Sequence, residues 1–186
     1  FVSFFQWCSL PCSGESGAPD VVVGTPVSGR GDAELDGLVA PLVNVLPLRF
    51  QVSAGQSFAG FLAQARARVQ EAVGHRSVTP PDFAALSRRH TRVGLLGLCR
   101  TILVVDEATH NGPALPGATV RRVPVETGAS KVDLCFTLLH ADGEFDGTLD
   151  YLADRYSATE AERIVHAFTA LLAELAGDTG RPVSSA

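Results

Sequence analysis

Hydrophobic positions along the chain fall into short alternating runs and two long helical stripes. Val21, Val22, Val23, Thr25 and Val27 form a β-branched run closed by Ser28-Gly29-Arg30-Gly31, which predicts a strand feeding a turn. Residues 33–39 predict one or two helical turns, and residues 42–50 a second strand. Pro47 cannot donate to a ladder, so that strand is expected at a sheet edge or bulged at this point. From Ser57 onward, Phe58, Phe61, Leu62, Ala65, Val69 and Val73 recur at helical spacing, with Gln64, Arg66, Arg68 and Gln70 on the other face. Gly74 ends this helix near His75. Pro80-Pro81-Asp82 opens a shorter helix through Ser87, followed by a basic cluster over residues 88–92. Residues 98–105 predict a strand, residues 111–117 a loop rich in Gly and Pro, and residues 118–126 another strand.

The clearest hairpin joins residues 131–139 to residues 144–152. Val132, Leu134, Phe136 and Leu138 alternate with Asp133, Cys135 and Thr137, and Ala141-Asp142-Gly143 supplies the Asp-Gly pair that tight turns favour. Ser157, with Glu160 three residues later, reads as a capping box opening the last helix. Its apolar face is Ile164, Val165, Phe168, Leu171, Leu172 and Leu175, and Gly177 stops it. Residues 1–20 show no period and read as irregular or as a remnant segment. The sum is a mixed β-sheet covered by helices, an α/β layered domain.

Composition narrows the function classes. The 186 residues are 46% hydrophobic and 19% charged, enough to bury one large core. Lys plus Arg number 15 against 20 Asp plus Glu, a net charge of −5, and nucleic-acid binding usually announces itself as a basic excess instead. No apolar run reaches the roughly 20 residues a spanning helix needs, so no membrane role is expected. Methionine is absent, which points to an internal piece of a longer polypeptide, and no basic residue precedes the first apolar stretch as in a signal peptide. Cys8 and Cys12 form a lone pair without a second pair of ligands, so no metal site is expected. Cys99 and Cys135 read as small core residues, in keeping with a reducing cytoplasm.

Few residues announce chemistry on their own. Ser28 lacks the spacing of a nucleophile elbow, and Gly29 with Gly31 lacks the third glycine of a dinucleotide fingerprint. His166 lies beside the core face of the last helix, where a structural role is expected. Asp133 and Asp150 either face each other across the hairpin or are simply solvated. The basic cluster at 88–92 is either an exposed face or a site for an acidic partner.

Read in order, several segments resemble the C-terminal, acceptor-side half of a condensation domain from a nonribosomal peptide synthetase. Asp20-Val21-Val22-Val23-Gly24-Thr25-Pro26-Val27-Ser28-Gly29-Arg30 is similar to the family's strand leading to a Gly-Arg turn. The segment from Leu38 to Arg49 is similar to its G-x-F-V-N-T-x-x-x-R pattern, keeping Val43, Asn44 and Arg49. Leu115-Pro116-Gly117, Lys131-Val132-Asp133-Leu134, Gly147-Thr148-Leu149-Asp150-Tyr151 and Arg181-Pro182-Val183 continue in the family's order. Ala40, Pro41 and Val45 depart from the pattern, as does the stretch after His75. The match covers about residues 20–183.

The resemblance implies a chloramphenicol-acetyltransferase-like lobe, with the N-terminal lobe outside this chain. It implies amide formation between aminoacyl or peptidyl thioesters carried on the phosphopantetheine arms of peptidyl carrier protein domains, beside an adenylation domain. The family's His-His-x-x-x-Asp-Gly motif is absent here, so no catalytic residue is assigned. By the same resemblance Arg30 supports that motif by pairing with its Asp, and Asn44 and Arg49 line the tunnel or substrate path. Epimerization and acyltransferase lobes of the same superfamily are alternatives, as is a non-catalytic platform that binds carrier proteins or partner enzymes. The Val43-Asn44-Val45 segment favours condensation over epimerization.

Overall fold

The computed structural model describes residues 20–31, 33–51, 55–90, 95–107, 116–118, 123, 125, 128–141 and 143–183. Among the described residues five strands form one mixed sheet: β1 (Asp20–Ser28), β2 (Val43–Gln51), β3 (Thr101–Glu107), β4 (Leu134–Ala141) and β5 (Glu144–Tyr151). Their spatial order is β2-β1-β3-β4-β5. The β1–β2 and β4–β5 pairs are antiparallel, whereas β3 runs parallel to both β1 and β4. Helices α1 (Phe58–Gly74), α2 (Pro80–His90), the short α3 (Leu95–Leu98) and α4 (Ala158–Gly177) complete the fold, with a turn of 3-10 helix at Ala33–Leu35.

Strand alternation decides which face is dry. Val21 and Val23, Leu48 and Phe50, Leu103, and Leu134 and Phe136 all point to one side and are buried. The apolar stripes of α1 and α4 cover that side through Phe58, Phe61, Ala65, Ile164, Phe168, Leu171 and Leu175. Two aromatic contacts seat the helices: Phe50 meets Phe61 with ring centroids 5.9 Å apart, and Phe136 meets Phe168 at 5.2 Å. Thr25, a buried polar residue of this face, donates its hydroxyl to the Leu103 carbonyl at 3.0 Å.

Both long helices start as their sequences require. Ser157 and Glu160 form the reciprocal capping box, and the Ser157 backbone N–H first, then its hydroxyl, donate to the Glu160 carboxylate and hold it below its ordinary range. Ser57 caps α1 by accepting from Gly60 N–H. The other free amides of that first turn, Phe58 and Ala59, donate to the Arg181 and Thr179 carbonyls at 2.9 Å each. The C-terminal segment is thereby sewn to the start of α1, and Val183 is buried in the same core.

The ladder phase explains how the sheet edges are finished. Gly29 N–H donates to the Leu42 carbonyl at 2.7 Å, so by alternation Asn44, Leu46, Leu48 and Phe50 carry the bonds to β1. Val45, Pro47 and Arg49 therefore turn their backbone groups outward, and Pro47 costs the ladder nothing. The edge position expected for this strand is what the sheet order shows. At the opposite edge Leu152 N–H donates to Asp133, which puts Gly147 in the outward set, and its N–H is taken by Asp146 Oδ1 at 2.8 Å.

Several expectations change. Residues 95–98 are helical and β3 starts only at Thr101, because Cys99 turns in beneath Gly24, where an added Cβ would lie 3.0 Å from Cys99 Cβ. The helix opened at Pro80 runs on to His90. Val165 belongs to the helical stripe by spacing but is exposed, and Cys135 is only half-buried. Asp133 and Asp150 do not face each other: Asp150 lies opposite Cys135, while the Asp133 carboxylate binds Arg100 at 2.6 Å and Arg155 at 3.4 Å. The irregular segment at 1–20, apart from Asp20, lies outside the described residues, as do Cys8, Cys12 and most of the strand at 118–126. In the loop at 111–117 only residues 116 and 117 are described, and the basic cluster at 88–92 is described only as the helical end of α2, up to residue 90.

Burial pushes the Cys99 thiol up to about 11. An unfolded thiol ionises near ~8.5, so the unfolded chain sheds a proton that the folded chain keeps. Stability from this group is complete below about pH 8.5 and is lost as pH rises toward 11. The thermal midpoint of the chain should fall over that window more steeply than that of Cys99→Ala. Parallel pH profiles for the two proteins would contradict the assignment.

Candidate functional site

Two of the three residues singled out in the sequence, Arg30 and Asn44, lie at one end of the β1–β2 pair. Arg30 sits just past β1, where its guanidinium donates to the Leu35, Leu38 and Ala40 carbonyls, the latter two at 2.8 and 3.4 Å. Its own N–H donates to Ser28 Oγ at 3.2 Å. A planar fork with five donors is suited to holding several carbonyls at once, and it keeps its charge when half-buried. Arg30 thus folds the 31–42 connection back onto itself and fixes where β2 begins.

Asn44, in register with Val27, is the second residue of β2. Its carboxamide is fully used. The amide nitrogen donates to the Val78 carbonyl at 2.6 Å and to the Arg76 carbonyl at 3.1 Å, and the oxygen accepts from Val45 N–H at 2.9 Å. One side chain therefore ties the outer edge of the sheet to the loop between α1 and α2. That loop is fixed from its far end as well. Thr79 N–H and hydroxyl both donate to Asp82 Oδ2, at 3.1 and 2.5 Å, which caps α2 and holds the Asp82 carboxyl below its ordinary range. The Thr79-x-x-Asp82 spacing was readable as a cap. The Asn44 contacts, spanning more than thirty residues, left no local signal.

His75 closes α1, with its N–H donating back to the Ala72 carbonyl at 2.9 Å. Arg76 leans on the Arg30 turn, and a Cβ at Gly31 would come within 3.1 Å of its Nη2. Between the outward edge of β2, the last turns of α1 and the start of α2 lies a cleft of about 440 Å³. Val45, Pro47 and Arg49 form its β2 wall, and Gln64, Arg68 and His75 its α1 wall. Arg49 stands well down this wall from Asn44, about 16 Å away at the rise of a strand. The structure thus brings Arg30 and Asn44 together around the 75–79 loop and places Arg49 in the adjoining cleft. Among the described residues no group of three His, Cys, Asp or Glu converges as a metal centre. Likewise no described helix is long and apolar enough to cross a membrane.

Comparison with known proteins agrees with this geometry. The chain matches the condensation-domain family model over residues 13–186. It is 32% identical over 167 residues to the probable non-canonical nonribosomal peptide synthetase CymA of Salinispora arenicola, covering 89% of this chain and 2% of that relative. The first condensation domain of the calcium-dependent antibiotic synthetase superposes with a TM-score of 0.75 at 22% identity, over 98% of this chain and 40% of that one. The X-domain solved with OxyB from teicoplanin biosynthesis superposes with a TM-score of 0.75 at 24% identity, over 99% of this chain and 41% of that one. The chain belongs to the condensation-domain family, with the mixed sheet and covering helices of that fold, and spans a small part of the synthetase it matches.

Losing the Asn44 carboxamide strands two carbonyls and one edge amide. Asn44→Ala should lower unfolding free energy in urea by about 1–2 kcal/mol. Asn44→Asp should cost more at neutral pH, because a carboxylate would face the Arg76 and Val78 carbonyls. Changes of only about 0.5 kcal/mol for both, the size of an ordinary surface substitution, would refute the tie.

Proposed function

We propose that this condensation-family chain is the C-terminal, acceptor-side lobe of an amide-forming domain, residues 20–183 supplying the fold. The observation that carries the reading is coverage. Nearly all of this chain superposes on about two-fifths of a condensation domain, and the chain has no His-His pair of its own. In the proposed reaction the amine of an acceptor aminoacyl thioester attacks the carbonyl of a donor acyl or peptidyl thioester. The new C–N bond forms as the C–S bond breaks, the amine proton is handed off, and the donor's carrier thiol leaves.

Both thioesters would arrive on phosphopantetheine arms of carrier domains, with an adenylation domain charging the acceptor. Holding two tethered reactants in line supplies much of the acceleration in such a step. A proton acceptor must come from a His-His-x-x-x-Asp-Gly segment outside this chain. Arg30 and Asn44 are proposed to shape the wall of that path. They do so by fixing the 31–42 connection and the 75–79 loop, and Arg49 lies further along β2. A cytoplasmic setting suits these partners.

A second reading has support from the likeness to an X-domain solved in complex with OxyB. Under it the lobe helps build a docking platform and no bond is made. One experiment separates the two. The chain is joined to the lobe encoded immediately upstream of it and supplied with loaded donor and acceptor carriers. The amide-forming reading expects condensed product from the joined domain, none from this chain alone, and at least a tenfold loss in Arg30→Ala that Arg30→Lys does not restore, about 1.4 kcal/mol or more of positioning. No product from a folded joined domain with an intact His-His-x-x-x-Asp-Gly would overturn it.

A further inference from the structure

We propose that the groove between α4 and strands β3, β4 and β5 is a binding site for an unbranched aliphatic chain, held by its hydrocarbon and not by its headgroup. The proposal does not depend on the amide-forming reading. The groove lies across β3, β4 and β5, away from the β2 edge that carries Asn44. Its volume of about 320 Å³ falls at the lower end of the range of small-molecule sites. The lining is where the sequence periods outrun the core. Val105 continues the alternation of Leu103, Phe145 that of Leu149, and Val165 falls on the α4 stripe, yet all three are exposed. With the half-buried Leu138 and Leu172 they line one hollow. Gly147 leaves its floor to Leu138, whose Cδ2 would lie 2.8 Å from a Cβ added there.

Polar chemistry is withdrawn from this hollow. Among the described residues, Thr148 and Thr169 are its only polar side chains. Thr148 sits between Gly147 and Leu149, so strand alternation turns its hydroxyl to the opposite face of the sheet. Thr169 donates its hydroxyl to its own helix, shared between the Val165 and His166 carbonyls at 3.0 Å each. A ligand therefore meets hydrocarbon on the floor and walls, with no charged side chain among the described residues to select a headgroup.

Two features favour a chain over a folded partner. A specific protein interface takes about 20–30 residues from each side. The open apolar set here is Val105, Phe145 and Val165, far short of that. Nor can a partner strand take the outward amide of Gly147, which Asp146 Oδ1 already binds at 2.8 Å. The walls also stand before a ligand arrives. The Phe145 ring rests against His140 with centroids 4.8 Å apart, and Phe168 is seated on Phe136 at 5.2 Å. An apolar site already in shape avoids an ordering cost and gains with every methylene it takes from water.

The test titrates the full 186-residue chain with n-octanol, and with its α,ω-diol, equal in length and polar at both ends, followed by backbone-amide NMR. Octanol should bind saturably and shift the amides of Val105, Gly147 and Thr169. The diol should bind about tenfold or more weakly, because one hydroxyl must enter the hollow unpaired. Hexanol should also bind about tenfold or more weakly, at roughly fourfold per methylene. Val165→Asp should weaken octanol about tenfold or more, and Phe145→Ala should do the same even if the aspartate prevents folding. Thr169→Val should bind octanol as tightly as the parent, because the hydroxyl takes no part. Equal affinity for octanol and its diol would overturn the proposal. So would loss of binding in a folded Thr169→Val, shifts centred on the cleft at His75 and Val78, or an absence of saturable binding.

Discussion

An edge strand must end its hydrogen bonding somewhere, and at β2 the ending is the Asn44 carboxamide. Three bonds leave this one group: one to its own strand at Val45 and two to the loop after α1. Without the amide, the path of that loop between α1 and α2 is set by local bonds alone, the turn closed by Val78 N–H on the His75 carbonyl and the Thr79–Asp82 cap. The cleft walls, the position of His75 and the approach of Arg76 to Gly31 all follow from that path. Arg30 does the corresponding work on the other side of the strand start, where its fork gathers the carbonyls of the 31–42 connection.

The sheet is asymmetric in a way that suits a lobe. One face is closed by α1 and α4 over a continuous apolar core. Both edges are blunted by the same local device, an outward N–H satisfied by the preceding side chain: Val45 by Asn44 and Gly147 by Asp146. Pro47 removes a third outward donor from β2. Such edges resist pairing with stray strands. The C-terminal segment, bonded to the first turn of α1, closes the chain back onto its core and leaves that helix start with few orphan amides.

Periodic features were legible and contingent ones were not. Both long helices, their Ser57 and Ser157 caps, the β4–β5 hairpin and the edge status of β2 follow from spacing and from what proline and serine can do locally. Arg30 and Asn44 were identifiable as residues of interest only by resemblance, because their partners are set by tertiary approach. The Asp133–Arg100–Arg155 cluster is a case where sequence misleads. Alternation suggests a facing pair of acids, yet Asp133 stands just before β4, and the arginine beside β3 and the one in the turn after β5 reach it instead. Cys99 was expected inside a strand and is buried for another reason, the close approach permitted by Gly24. Val165 fits the helical period, but α4 turns it away from the core.

The account turns on Asn44 acting as the tie between sheet edge and loop, and Val45 N–H reports on it directly. This amide points away from β1 and has the Asn44 oxygen as its acceptor. Native-state hydrogen exchange should find it protected to the level of its ladder neighbours Leu46 and Leu48, because opening it requires the loop to let go as well. Exchange of Val45 at the rate of an exposed loop amide, with Leu46 and Leu48 still protected, would contradict the account.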